Sequence, residues 1–318
     1  MNAQDDWFEL AMEFFAGMTS KARPDDVGKR GRGKSKSSLA LVQAAHDILA
    51  EIQPATVRAV CYRLFVLRLI PDMSKGSTNA VSRHLVWARE KDLIPWEWVV
   101  DETREAEQSA SWRNPEALLR AAVSQYRRDY WQDQPAWVEV WSEKGTVRGT
   151  LAPVLEKRGV AFRVMHGYTS ATCVNDIAEL TTSRKQPLHV LYVGDWDPSG
   201  LHMSEIDLPS RLTRYGASVV IHRVALTEEH VGNELPSFPA ATKQNDPRYS
   251  WFRKHYGAEC WELDALSPVT LRECVEMHIR SYIDMDTWDR AVELESAERD
   301  SLHAYLQGLP SIFGHATK

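Results

Sequence analysis

Two aspartates stand two residues apart in Gly194-Asp195-Trp196-Asp197-Pro198-Ser199-Gly200, directly after the apolar run LHVLYV. Turn chemistry accounts for one of them: Asp197 followed by Pro198 suits a helix N-cap with proline at the first helical position. Asp195 has no such explanation. Side chains at i and i+2 of an extended chain share one side, so two carboxylates there repel each other unless something neutralises them. A hard divalent cation such as Mg²⁺, or Mn²⁺ in its place, requires oxygens of this kind. Glu143, at the end of WVEVWSEKG, offers a third carboxylate. Glu139 lies four residues earlier, inside the same apolar run, and is less well placed.

These three residues share a site only if the intervening chain folds to bring them together. From Trp137 the sequence alternates between β-prone and helical stretches. WVEVWSEKG, VAFRVMHGY, LHVLYVGD and SVVIHRVAL read as strands, and TVRGTLAPVLEKRG, SATCVNDIAELTTSR and SGLHMSEI as helices. That alternation predicts an α/β fold with a parallel, Rossmann-like sheet and crossover helices. In such sheets the chemistry lies at the carboxyl ends of the strands, where Glu143 and Asp195 both fall. From about Ser267 the chain reads as an acidic helical tail.

The first part of the chain has a different texture. WFELAMEFFAGM (7–18) has the spacing of a short amphipathic helix, and KARPDDVGKRGRGKSKSS carries seven basic residues and little to bury, as a mobile arm would. Three helical segments follow. LALVQAAHDILAEI ends near Pro54; Thr56 can cap VRAVCYRLFVLRLI, which Pro71 stops; Ser77, Thr78 and Asn79 can cap AVSRHLVWAREKDLI. The short β-prone WEWVVDETR comes next. Three helices and a β segment are the pattern of a winged helix-turn-helix whose third helix presents Arg83, Arg89 and Lys91. A charged helix face of this kind can equally be plain solvated surface.

The net charge of −6 hides an asymmetry. Between Lys21 and Lys91 fourteen Lys and Arg stand against six Asp and Glu, whereas from Ala136 onward nineteen stand against twenty-five. A polyanion would meet the first part, through Lys29, Arg30, Arg32 and Lys34 of the arm and Lys75, Arg83 and Arg89 beyond it. Gly28 to Ser35 also satisfies the G-x-x-x-x-G-K-S phosphate-loop pattern, but SKARPDDV before it cannot be the buried strand that such a loop needs. DPRYSWFRKHYGAECWELDAL (246–266) mixes basic and aromatic residues before Glu262 and Asp264, which suits a nucleic-acid groove or an ordinary surface loop. Four scattered cysteines without a C-x-x-C pair fit reduced thiols. The acidic N-terminus lacks a signal-peptide pattern, and the longest apolar candidate, 56–70, carries three arginines. The expectation is a cytoplasmic, nucleoid-associated protein with no membrane partner.

A Glu after the first strand and D-x-D-P-x-G after the third resemble the Toprim domain of topoisomerases, primases and some nucleases. The fuller strings SEKGTVRGTL, HGYTSATCVNDI and VGDWDPSGLHMSEID are similar to the version in the A subunit of type IIB topoisomerases and the related meiotic break-forming transesterases. In that group a winged-helix domain with a catalytic tyrosine on an Arg-x-x-x-Tyr pattern precedes the Toprim domain. Arg58-Ala59-Val60-Cys61-Tyr62 matches the pattern here, with Cys61 where the family usually has a second aromatic residue and Ala59 where it often has an acid. The resemblance covers roughly residues 40–265. It implies an N-terminal helix and basic arm (1–37), a winged-helix DNA-binding domain (38–132), a Toprim domain (133–266) and a helical tail (267–318).

The chemistry of the resemblance is coherent. Arg58 and Tyr62 are i and i+4 on one helix, where a guanidinium would favour the phenolate that attacks phosphorus. The implied reaction is Mg²⁺-dependent cleavage of double-stranded DNA, with Tyr62 as nucleophile, Arg58 beside it, and Glu143, Asp195 and Asp197 holding the metal. The family's use of one subunit's tyrosine at the other subunit's metal site implies a homodimer, and strand passage would need an ATPase or other partner protein. Two further readings remain: a hydrolytic Toprim nuclease in which Tyr62 is structural, and a DNA-binding protein without catalysis.

Overall fold

A computed structural model describes residues 34–100, 110–165, 171–184, 186–232 and 235–308. Backbone contacts divide the chain into residues 1–39 and 40–318. Of the first unit, only the end of the basic arm and the opening turn of helix α1 (Lys36–Ile52) are described. The predicted helix at 7–18 and most of the arm, with Lys29, Arg30, Arg32 and the phosphate-loop glycines, lie outside the described residues.

Residues 40–318 hold two hydrophobic cores. The first joins Val42, Leu49 and Ile52 of α1 to Val60 and Leu64 of α2 (Val57–Val66) and Val81 and Leu85 of α3 (Lys75–Glu90). Each helix contributes residues at i, i+3, i+4 or i+7 spacing, the stripe that helix-on-helix packing requires. Thr56 caps α2 as expected, its side chain accepting from the Ala59 N–H at 3.1 Å. The limits of α2 and α3 differ from the sequence expectation. Helix α2 stops at Val66 rather than running to Pro71, because Arg68 takes the left-handed conformation (φ 57°) and the Leu69 N–H bonds back to the Leu64 carbonyl. Helix α3 starts at Lys75, capped by Ser74, so Ser77, Thr78 and Asn79 lie inside it. Of the β segment after α3, Val99–Val100 (β2) pairs in parallel with Ala55–Thr56 (β1), and the rest of the region where a wing would fold, 101–109, is outside the described residues.

The second core surrounds a parallel sheet of four strands in the order β4-β3-β5-β6: Trp137–Ser142 (β3), Ala161–Val164 (β4), Leu188–Val193 (β5) and Val219–Ala225 (β6). All four strands expected from the sequence are present. Every residue of β3 and five of the six in β5 are buried, as central strands covered on both faces must be. The crossover helices are α5 (Val147–Arg158), α6 (Ala171–Ser183) and α8 (Leu208–Arg214). After β6 come the short helices α9 (Glu228–Val231) and α10 (Tyr249–Tyr256); α6 packs on α8, and α5 packs on α11 (Pro268–Arg280). The helical tail is therefore partly core: Leu271, Val275 and Ile279 of α11 are buried in the same cluster as the sheet. Helix α4 (Pro115–Gln125) lies along α12 (Met285–Gly308), with Tyr126 and Arg128 bonded to Glu298.

Glu139 sits in the middle of β3 and is 1% exposed. Arg163 of β4 grips both its oxygens at 3.0 and 3.1 Å, and Trp141 Nε1–H donates at 2.7 Å. This carboxylate braces the sheet and does not reach the rim.

Candidate metal and nucleic-acid site at the sheet rim

In the register of β3 and β5, Ser142 faces Val193, so the chain leaves both strands side by side. Glu143 follows one strand, and Gly194-Asp195 follow the other. Asp197 then caps the short helix α7 (Pro198–His202), with Oδ1 accepting from the Gly200 N–H at 2.7 Å. Glycine is required at 200: a Cβ there would stand 2.5 Å from the Asp195 carbonyl oxygen and 3.3 Å from Asp197 Oδ1. Arg223 of β6 holds this turn from beneath, donating to the carbonyls of Gly194, Asp195, Gly200 and Leu226.

The neighbouring segment 259–265 closes over the turn. Trp196 and Trp261 exchange main-chain hydrogen bonds at 2.9 and 3.0 Å, and the Leu263 N–H donates to Asp195 Oδ1 at 2.8 Å. That pairing delivers Glu262 and Asp264 to the same rim. Sequence reasoning left Asp264 unassigned because its proximity depends on an isolated bridge between residues far apart in the chain.

Both aspartates are neutralised by lysines. Lys144 Nζ lies 2.8 Å from Asp195 Oδ1 and 3.1 Å from Asp264 Oδ2. Lys243, from the turn Ala240–Lys243, lies 2.5 Å from Asp197 Oδ2. Burial works against the charge on each ammonium, yet the adjoining carboxylates raise both pKa values. The repulsion expected between Asp195 and Asp197 is thus relieved within the chain. Glu143 differs: no described residue bonds to it, and burial together with the charges of Asp197 and Asp195 raises its pKa. Among the described residues no three His, Cys, Asp or Glu side chains are gathered in metal-ligating arrangement. The donors nevertheless suit a hard cation in kind, since no described residue bonds to Glu143 and both contacts to Asp195 fall on Oδ1.

Helix α2 meets the rim from the other core. Arg58 forms an ion pair with Glu262, with Nε at 2.5 Å from Oε2, and Asp264 Oδ2 lies 3.9 Å from the same nitrogen. Between the two cores runs a cleft of about 600 Å³, lined among others by Arg58, Arg89, Lys144, Asp195, Glu262 and Asp264. Tyr62 is one turn beyond Arg58, with the guanidinium 5.9 Å from its ring centre. Tyr62 is only 6% exposed, and its phenol is pushed up to about 12 by burial and the charge of Glu262, against the opposite pull of Arg58. Arg58 does favour the phenolate, as expected from the sequence, but burial and Glu262 outweigh it in this arrangement. Cys61 beside it is a buried thiol pushed up to about 11, chiefly by burial.

The expected DNA contacts fall in different settings. Lys75 and Arg83 are exposed on α3, whereas Arg89 is half-buried with its guanidinium 4.7 Å from the Trp96 ring centre. Lys34 is half-buried just before α1. Among the described residues no helix is long and apolar enough to cross a membrane. No protein-family model matches the chain, and no curated protein matches it in sequence.

Proposed function

We propose that this protein is a Mg²⁺-dependent DNA-cleaving enzyme with a Toprim-type rim. The observation that carries the reading is the placement of Glu143, Asp195 and Asp197 at the adjoining carboxyl ends of β3 and β5, with no described residue in hydrogen-bond or ion-pair contact with Glu143. Glu143, Asp195 and Asp197 would hold the metal, which supplies charge neutralisation at the scissile phosphate and at the leaving oxygen. The three-helix core takes the winged-helix role, with Lys75 and Arg83 of α3 and the basic arm on the DNA backbone. Tyr62 is the attacking group, and its phenol would break the phosphodiester by forming a phosphotyrosyl bond and releasing a 3′-hydroxyl. Because Tyr62 is buried, α2 must lift from its own rim before that attack, consistent with a homodimer in which each tyrosine serves the other subunit. In this reading the protein works in the nucleoid, and strand passage would need an ATPase partner.

A hydrolytic variant of the reading has its own support in the burial of Tyr62 and a phenol pushed up to about 12. Incubation with supercoiled DNA and Mg²⁺, followed by a detergent quench, separates the two. Protein covalently attached to 5′ ends, lost in Tyr62→Phe, supports transesterification. Nicking without attachment, lost in Asp195→Ala and kept in Tyr62→Phe, supports hydrolysis. Binding with no cleavage in Mg²⁺ or Mn²⁺ rejects both and leaves a DNA-binding protein.

A further inference from the structure

The two lysines of the rim are held unequally. Lys144 bridges two carboxylates, Asp195 and Asp264, and its side chain is 27% exposed. Lys243 has a single carboxylate partner, Asp197, and its side chain is 37% exposed on a turn of four residues. Asp197 itself is buried, with Oδ1 committed to the α7 cap and Oδ2 to Lys243. A cation that engages Glu143 and Asp195 therefore meets Asp197 at Oδ2, the oxygen that no main-chain N–H holds, and competes there with Lys243. The displaced ammonium, on a flexible four-carbon stem, would remain beside the site with no carboxylate to pair with. The anion that would approach it there is a phosphate of the substrate.

Resting on the metal-dependent reading above, we propose that Lys243 is an exchangeable counter-ion. It neutralises Asp197 while the rim is metal-free and passes to a DNA phosphate when a divalent cation takes Asp197. Lys144, clamped between Asp195 and Asp264, stays in place. Lys243 is thus a DNA-positioning residue whose contact exists only in the metal-loaded protein, which couples metal binding to grip on the substrate.

The test uses Ca²⁺ as a hard oxygen-binding cation and a labelled duplex, comparing wild type, Lys243→Met, Lys243→Arg, Lys144→Met and Glu143→Gln. Calorimetry reads Ca²⁺ binding without DNA, and anisotropy across a salt series reads DNA affinity in EDTA and in Ca²⁺. Each phosphate contact contributes close to one unit to the slope of log affinity against log salt. The expected result is a slope lower by about 1 for Lys243→Met in Ca²⁺ and unchanged in EDTA. Lys243→Arg should restore the wild-type slope, and Lys144→Met should leave it unaltered. Glu143-dependent Ca²⁺ binding combined with equal Lys243→Met slopes in EDTA and Ca²⁺ overturns the exchange and leaves the metal reading standing. Absence of Ca²⁺ binding, Ca²⁺ binding indifferent to Glu143→Gln, or absence of DNA binding by the wild type overturns both.

Discussion

Thr56 Oγ1 donates to Asp264 Oδ1 at 3.2 Å while accepting from the Ala59 N–H. One hydroxyl thus caps α2 and ties its first turn to a carboxylate of the rim. Arg58, in the same first turn, adds the ion pair with Glu262. Thr56→Ala should destabilise the protein by about 1 kcal/mol through loss of the cap. Thr56→Ser, which keeps the hydroxyl, should lose much less. Urea melts of both variants check this, and equal losses would rule out the cap as the cause.

Asp197 serves as a cap and as a proposed metal donor, and asparagine separates the two. Asn is as good an N-cap as Asp, so Asp197→Asn should keep the turn before α7, whereas Asp197→Ala should cost about 0.5–2 kcal/mol. Both should abolish Mg²⁺-dependent cleavage. Melting curves and nicking assays on the same preparations read the two effects independently.

Gly200→Ala changes no charge but places a methyl group within 2.5 Å of the Asp195 carbonyl oxygen. Cleavage should fall at least tenfold, with the fold otherwise retained, because a displacement of about 1 Å at a reacting group costs up to roughly 100-fold. Wild-type nicking rates for Gly200→Ala would show that the turn tolerates the shift.

Arg163→Met leaves Glu139 as a buried carboxylate with Trp141 as its remaining donor. A loss of about 3–5 kcal/mol is expected. The double variant Arg163→Met with Glu139→Leu should recover much of it, since no charge is then left in the core. Chemical denaturation of the three variants measures the coupling.

His189 Nδ1 and His222 Nε2 stand 3.1 Å apart, with the rings stacked at 9°. Burial, with the neighbouring His222, lowers the His189 pKa. The folded state therefore binds fewer protons here than the unfolded chain, and stability rises with pH. The contribution is present above about pH 6.5, the ordinary histidine value, and is lost as pH falls below it. Thermal midpoints of His189→Phe should accordingly depend less on pH between 7 and 5 than those of the wild type. A parallel pH profile would show that this pair is not responsible.

Much of the scaffold is legible locally. The alternation of apolar runs marked β3 to β6, most plainly β3 and β5, because central parallel strands are buried on both faces and leave continuous Val, Leu, Tyr and Trp. Thr56 and Asp197 were recognisable as caps because capping uses side chain and main chain within three residues. The ends of α2 and α3 were not, since Arg68 and Asp92 take left-handed conformations where glycine would have been the usual sign. Lys144 and Lys243 carried no sequence signal for their partners.

The sequence alone determined that Glu143 and Asp195 each follow a strand and that Asp197 turns the chain into a helix, because strand period and helix capping act over a few residues. That the two strands are neighbours is the sheet's order. Tertiary structure decided what surrounds them. Lys243 reaches Asp197 across 46 residues, Lys144 reaches Asp264 across 120, and Arg58 reaches Glu262 across 204. Charge neutralisation and burial depend on which distant segments are packed together, and a linear pattern does not encode that. So Asp195 and Asp197 look like bare repelling charges in the sequence and are lysine-bound in the fold, while Tyr62 looks like a ready nucleophile and is buried.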